Sequence, residues 1–573
     1  MAALDVASSL DKTESPPATD GPSSSVDCAD CLLKTERLAE ASIVAAWSPI
    51  VPDAAGIQPD RIASIQYLRA AAAFCVLIFH ASYYLDAVGL DDRFRAAFGR
   101  GFSDFGVYTF FAVSGFLMGV QVEKRSVAAP AFLLHRVVRI FPLFWAIAIA
   151  AICLRLLVKT GVEWDPLTFL LAPIGERIYP IGVEWTLVFE VSFYLYTAAI
   201  IALGGARFLP LIGCSWLAAI LTVSLIFPEL QEGRFPHLLR LPLSEYDSAF
   251  AAGLLIPWSI RRGYVGHSFL ATGLALFAGG QFSDAAAFGI ACSGVGCAMI
   301  VAWATTLSNH PRSLSRVFHS LGDWSYATYL VHVPVILAVY RFASTAAPSP
   351  LVWLAAIGIT LVASALIGPF DVTLYSRLKR AVDRQSPRKR IIFCVGFLAL
   401  TLAVVWTVSA EGLAKSKAVE LVAGLGEDAL SLHVAELDQM MPRHGYANSL
   451  RIEGKIDAIR NKGQELRISG WAADLEDVLT RPIVLAIHDN QILVATTPAL
   501  FRSDVLAWLG LAHPWVPAAF VGSIAPDRCS DDLPITFVAI NLSRKRYRVF
   551  DARDCPKPVS QLSTTHSETA QKP

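Results

Sequence analysis

The stretch Ile65-Gln-Tyr-Leu-Arg69-Ala-Ala-Ala-Ala-Phe-Cys-Val-Leu-Ile-Phe-His80 is apolar enough to cross a bilayer, yet it carries a guanidinium and an imidazole. His80 stands eleven positions after Arg69. At about 100° per residue that is three helical turns plus roughly 20°, so the two side chains share one face, about 16 Å apart along the axis. Each ionisable group at bilayer depth costs about 2.5–3.5 kcal/mol on insertion scales and normally faces a bundle interior or a wet cavity. The segment therefore points to chemistry or transport inside a membrane.

The rest of the chain fits a polytopic α-helical membrane protein: of 573 residues, 54% are hydrophobic and only 17% charged. Formal net charge is zero, which gives no basis for nucleic-acid binding or a strongly acidic partner. Residues 1–60 are polar or mixed and rich in Ser, Pro and Asp, so they read as a disordered cytoplasmic tail without a cleavable signal peptide. The first apolar segment then acts as the insertion signal.

Windows of about 20 apolar residues fall near 64–86, 103–122, 138–158, 181–203, 208–227, 246–260, 267–281, 285–306, 324–343, 351–370 and 391–410. Eleven spans are expected, the sixth and seventh being short and interrupted by Gly. With the N-terminus inside, every cytoplasmic loop is basic, carrying Lys124, Arg125, Arg136 and Arg139, then Arg207, Arg261 and Arg262, Arg312 and Arg316, and the run Arg377 to Arg390. Outer segments hold Asp86, Asp91, Asp92, Glu163, Asp165, Glu229, Glu232 and Asp284. This alternation predicts a multi-pass protein of the inner cell membrane.

An odd count places residues 411–573 outside the cytoplasm. After a linker over 411–447, helical around 411–440, alternating runs such as Glu465-Leu-Arg-Ile-Ser-Gly-Trp471 and Pro534-Ile-Thr-Phe-Val-Ala-Ile predict a β-sandwich-like domain over 448–555. Residues 556–573 read as a disordered tail. Trp471, Trp508 and Trp515 could stack on sugar or fill the domain core. Of ten cysteines, Cys75, Cys153, Cys214, Cys292, Cys297 and Cys394 lie in apolar segments and read as small buried thiols. Cys28 and Cys31 lack the partners of a zinc site, and Cys529 and Cys555 could form a disulfide.

Four further segments put polar groups in or beside the helices. In Gly106-Val-Tyr-Thr-Phe-Phe-Ala-Val-Ser-Gly-Phe116, Ser114 and Gly115 suit either close helix packing or backbone access to a ligand. Arg136 and Arg139, one turn apart at the cytoplasmic edge, either enforce topology or grip the phosphates of a nucleotide-like donor. Glu190 in Glu184-Trp-Thr-Leu-Val-Phe-Glu190-Val-Ser-Phe-Tyr194 sits near mid-membrane and needs a partner, His80 and Arg69 being the candidates. Ser325, Tyr326, Tyr329 and His332 in the ninth span serve either packing or a site.

Taken in order, these segments resemble the acyltransferase 3 family of integral-membrane enzymes, which O-acylate extracytoplasmic glycans. Arg69 to His80, Phe110 to Phe116, Arg136 to Trp145 and Ser325 to Pro334 match its ordered elements, and Trp185 to Tyr194 looks like its exopolysaccharide-acetylating branch. The resemblance covers about residues 62–372 and implies a ten-helix acyltransferase core, leaving the span at 391–410 and the outer domain as additions. In one departure, Tyr108 stands where members commonly carry Asp.

The resemblance implies acyl transfer from a cytoplasmic acyl-CoA, acetyl-CoA above all, to a hydroxyl of a polysaccharide or glycolipid acceptor, with no tightly bound cofactor. His80 would be the base or a transient acyl carrier, Glu190 would orient it, and Arg69, Arg136 and Arg139 would engage the donor. Ser114, Trp185, Tyr194, Tyr326 and His332 complete the candidate substrate site. The competing class is a proton-coupled transporter or flippase of a glycan or acylated intermediate, in which the same Arg, His and Glu would form a proton relay.

Overall fold

Windows this apolar become helices because a bilayer leaves the backbone no other partner than itself. A computed structural model describes residues 63–124, 128–157, 165–175, 177, 179–307, 312–343, 347–426, 434–462, 465–477, 481–489, 491–498, 518–524 and 534–554. Both expected tails, together with Cys28, Cys31, Trp508, Trp515, Cys529 and Cys555, lie outside the described residues.

Each expected span corresponds to a helix: α1 Ala63–Ala87, α2 Arg100–Lys124, α3 Ala129–Leu157, α4 Trp185–Ala202, α5 Leu209–Ile226, α6 Asp247–Arg261, α7 His267–Gln281, α8 Ala286–Thr305, α9 Ser325–Phe342, α10 Ser349–Asp383 and α11 Pro387–Gly426. Eight of these, α1 to α5, α8, α10 and α11, are long and apolar enough to cross a membrane, as a multi-pass protein requires. The other three fall short for identifiable reasons. α6 and α7 have 15 residues each, about 22 Å of helix against a hydrocarbon core of about 30 Å. α9 is diluted by Tyr326, Tyr329, His332, Tyr340 and Arg341.

Small residues set the closest crossings. A Cβ on Gly115 of α2 would come within 2.3 Å of the Phe250 carbonyl oxygen and 2.9 Å of Gly253 Cα on α6, so only glycine admits this contact. Beside it, the Phe193 and Phe250 rings stack at 3.9 Å and Phe111 meets Phe193 edge-on at 5.3 Å, filling the space between α2, α4 and α6. Cys297 and Cys394 are buried, but Cys153 and Cys214 are exposed on outward helix faces, so the expectation of buried thiols holds for only part of the set.

α11 runs 40 residues without a break, about 60 Å, and its last turns leave the bundle to meet the C-terminal β region. There β2 Ile452–Lys462, β3 Glu465–Asp474 and β6 Ala519–Ile524 form one antiparallel sheet. A five-stranded sheet follows the order β1-β8-β7-β4-β5, with β1 Ala447–Asn448, β4 Ile483–His488, β5 Gln491–Thr496, β7 Ile535–Asn541 and β8 Arg546–Arg553. Ile456, Ile468 and Phe520 of the first sheet share a core with Val484, Ala486 and Phe537 of the second. The other face of the second sheet, Leu485, Val538 and Tyr547, is covered by Ala418 of α11 and by Leu437 and Met441 of a helix over Val434–Arg443. Every residue of β4 is therefore buried, and the β region carries a helical layer that strand alternation does not announce.

Charges fasten this region to the bundle. Arg177, before α4, donates to Asp165 at 3.0 Å and to Glu411 of α11 at 3.3 Å, and Arg481 of the β region donates to the same Glu411. Burial raises the Asp165 carboxyl above its ordinary value, with the Arg177 guanidinium opposing that shift.

Candidate active site

α9 lies along α1, tied by Tyr340 Oη donating to the Ala81 carbonyl at 2.7 Å. That alignment sets His332 against His80, with ring centroids 4.9 Å apart. His80 Nδ1 is 3.0 Å from the Val76 carbonyl oxygen and 3.2 Å from His332 Nε2. A carbonyl only accepts, so Nδ1 carries the proton and Nε2 keeps the lone pair of a base. His332 Nε2 then accepts from the same Nδ1–H.

Toward the Arg69 end of the bundle lies a cavity of about 520 Å³. Arg69, Arg136, Arg139, Glu190, Tyr194 and Tyr326 line it, and the exposed Lys379 of α10 stands in its wall. Its other limit is Thr186 and Tyr329, whose hydroxyls are 2.5 Å apart. Tyr329 precedes His332 by one helical turn, and their rings are 5.6 Å apart. The cavity thus ends one turn below the histidine pair.

Its charges are not equivalent. Arg139 Nη1 donates to Asp371 Oδ2 at 2.6 Å, and the guanidinium stands over the rings of Tyr326 at 4.9 Å and Tyr375 at 5.3 Å. Arg69 donates to Gln66 Oε1 at 3.3 Å. Arg136 stacks on Phe132 and Tyr194 at 5.4 and 5.3 Å, and its buried Nε has no hydrogen-bond partner among the described residues. The buried Ser325 hydroxyl likewise has no partner among the described residues. A cationic group with unspent donors in a roomy pocket suits a phosphorylated, chain-like ligand.

Glu190 departs from expectation. Its Oε1 accepts from Ser114 Oγ at 3.2 Å and Tyr194 Oη at 2.5 Å, not from His80. Thr186, level with Tyr329, is already one turn below the histidines, and Glu190 lies a further turn along α4, about 6 Å deeper. The residue beside the His80 ring is thus His332, where Glu190 was expected. Tyr326 joins the cavity while donating to the Ile140 carbonyl at 2.8 Å, which ties α9 to α3.

Trp185 lies outside the cavity lining, its ring under the Arg234 guanidinium at 5.3 Å and against Tyr246 at 5.2 Å. At Tyr108 the side chain is 1% exposed and its hydroxyl has no partner among the described residues. Asp104, one turn away, pairs with Arg100 at 3.3 Å, so neither residue reaches the Glu190 cavity.

Sequence reasoning missed Gln66, Tyr375 and Lys379 of the cavity, Asp371 as the partner of Arg139, and Arg234 above Trp185. Asp371 had a visible signal, a lone carboxylate just past an apolar window. Among the described residues no group of three or more His, Cys, Asp or Glu side chains is placed to hold a metal ion.

A helical membrane bundle with a tautomer-fixed imidazole above a cationic cavity has the parts of an intramembrane acyl-transfer centre. A family model described as an acyltransferase domain matches residues 62–368, more than half of the chain, and the protein belongs to this acyltransferase 3 family. It is an acyltransferase. It is 28% identical over 305 residues to the exopolysaccharide production protein ExoZ of Rhizobium meliloti (strain 1021), an alignment spanning 50% of this chain and 91% of that one. No solved structure matches the chain.

Proposed function

We propose that the protein takes an acyl group, acetyl in particular, from a cytoplasmic acyl-CoA and places it on a hydroxyl of an exopolysaccharide, or of its lipid-linked precursor, at the outer face of the inner membrane. The observation that carries this reading is the cationic cavity ending, at Thr186 and Tyr329, one helical turn from the histidine pair. The phosphates of the donor meet Arg136, Arg69 and Lys379 at the cytoplasmic end, the pantetheine arm fills the cavity, and the thioester arrives beneath His80. The basic inner loops support this orientation.

At the outer end, His80 Nε2 removes the proton of the acceptor hydroxyl as its oxygen attacks the thioester carbonyl. The tetrahedral intermediate collapses to the ester and expels the CoA thiolate, which takes up the proton that His80 received. A positioned base of this kind supplies about 10²–10⁴-fold in rate. The Val76 carbonyl and His332 hold Nδ1 protonated throughout, keeping Nε2 aimed at the acceptor. Glu190, held by Ser114 and Tyr194, sets the charge balance of the cationic cavity.

Release of free CoA thiol by purified protein tests the reaction class. We expect release to require both acyl-CoA and glycan. A carrier would move glycan across vesicles while leaving the thioester intact, and that result would exclude acyl transfer.

A further inference from the structure

Where the cationic cavity ends, three oxygens meet. Tyr329 Oη donates to the Val183 carbonyl at 3.1 Å, Thr186 Oγ1 reaches the same carbonyl at 3.1 Å, and the two hydroxyls are 2.5 Å apart. Val183 lies just before α4, so the bond from Thr186, three residues on, is a local one that holds the start of the helix. Two hydroxyls carry two protons, and one of them satisfies the carbonyl. With Thr186 donating to Val183, the Tyr329 proton can turn to another oxygen without stranding a buried group.

The surroundings favour such a turn. Both side chains line the cavity yet are nearly sealed from solvent, Tyr329 at 8% and Thr186 at 6% exposure. Phe110 of α2 meets the Tyr329 ring edge-on at 6.1 Å, and Leu187 follows Thr186 in the lining, so the hydroxyls are set in an apolar wall. A fixed donor aimed at developing negative charge acts far more strongly there than in water. Tyr329 is also one turn from His332, with ring centroids 5.6 Å apart, and His332 bonds to His80. A base and a donor about one turn apart, about 5.4 Å, can take opposite sides of a single carbonyl group.

We propose that Tyr329 Oη, with Thr186 securing the Val183 carbonyl in its stead, donates to the thioester carbonyl oxygen and stabilises the oxyanion of the reaction. The inference rests on the proposed acyl transfer and adds a catalytic residue to it. As the acceptor oxygen forms its bond to the carbonyl carbon, the C=O π pair moves onto the carbonyl oxygen, where Tyr329 holds it by a hydrogen bond and keeps its own proton. Collapse returns that pair to C=O and breaks the C–S bond. The thiolate leaves with the bonding pair and takes the proton held by His80.

The test uses the full chain in nanodiscs. Tyr329→Phe should lower kcat about 10²-fold or more, the scale of one lost oxyanion donor, with donor KM and the unfolding midpoint unchanged. Thr186→Ser should keep most of kcat, whereas Thr186→Val, which leaves Tyr329 to satisfy Val183, should lower it about tenfold. A packing role would not move the second readout, the infrared stretch of a ¹³C-labelled carbonyl in acetonyldethio-CoA, a donor analogue with a methylene in place of the thioester sulfur. That stretch should lie at lower frequency bound to the parent than bound to Tyr329→Phe. Transfer by Tyr329→Phe at the parent kcat, a loss confined to donor KM, or equal carbonyl frequencies would each overturn the proposal while leaving acyl transfer standing. If Tyr329→Phe does not fold, Thr186→Val decides in its place, and a kcat at the parent value overturns the proposal. A parent that acylates no glycan, yet shows the Tyr329-dependent frequency shift, would keep the donor contact and sink the acyl-transfer reading instead.

Discussion

Asp371→Ala, behind Arg139, and Arg136→Ala, in the lining of the cavity, should separate stability from donor binding. The Asp371 carboxylate is 3% exposed and the Arg139 side chain 18%. Removing the carboxylate leaves Arg139 buried with only the faces of Tyr326 and Tyr375. Stranding one partner of a buried pair costs about 3–5 kcal/mol, and the surviving cation–π contacts return about 0.5–2 kcal/mol, which places Asp371→Ala near 3 kcal/mol. Asp371→Asn keeps one acceptor oxygen and should cost about 1–2 kcal/mol. Arg139→Met/Asp371→Leu removes both charges and should lie within about 1 kcal/mol of the parent. Among the described residues Arg136 has no ion pair to lose, only its stacking on Phe132 and Tyr194, so Arg136→Ala should cost about 1 kcal/mol in stability while raising the donor KM about tenfold. Thermal unfolding in detergent and an acyl-CoA titration read the two effects. A double variant as unstable as Asp371→Ala, or an Arg136→Ala donor KM equal to the parent's, would refute the assignment of one arginine to structure and the other to substrate.

Further outcomes follow from single contacts. His332→Phe keeps the ring volume but removes the acceptor beside His80 Nδ1; losing one neutral hydrogen bond of about 1 kcal/mol should lower kcat about fivefold with donor KM unchanged, and an unaltered kcat would remove His332 from the site. Gly115→Ala puts a methyl against the Phe250 carbonyl and should destabilise the bundle by about 1–3 kcal/mol, visible as a lowered unfolding midpoint. Arg481→Ala leaves Glu411, 11% exposed, with Arg177 as its remaining ion-pair partner and should cost about 1–2 kcal/mol; an unchanged midpoint would mean that this ion pair does not hold the β region to α11.

The positions of the helices were legible because twenty apolar residues in a row have one backbone solution in lipid. Their span count was less so: α6 and α7 read as apolar windows, but 15 residues fall short of the hydrocarbon thickness. At the site, the residue types were visible and their pairing was not. Glu190 and His80 share a membrane depth range in sequence, yet their partners were decided by packing, since α9 lies against α1 and turns His332 toward His80. Asp371 and Tyr375 escaped notice because their relation to Arg139 spans more than 200 residues of chain and leaves no local pattern. In the β region, alternation located strands such as β3, but a strand order of β1-β8-β7-β4-β5 depends on cross-strand register, which local sequence does not encode. The fully buried β4 likewise reflects the cover given by α11 and the helix over Val434–Arg443.

The central claim is that His80 is the base of an acyl transfer to glycan. Purified protein should move radiolabelled acetyl from acetyl-CoA onto exopolysaccharide or its lipid-linked precursor, and His80→Ala should lower that rate by about 10²-fold or more with donor binding retained. Transfer by His80→Ala at the parent rate would contradict the account.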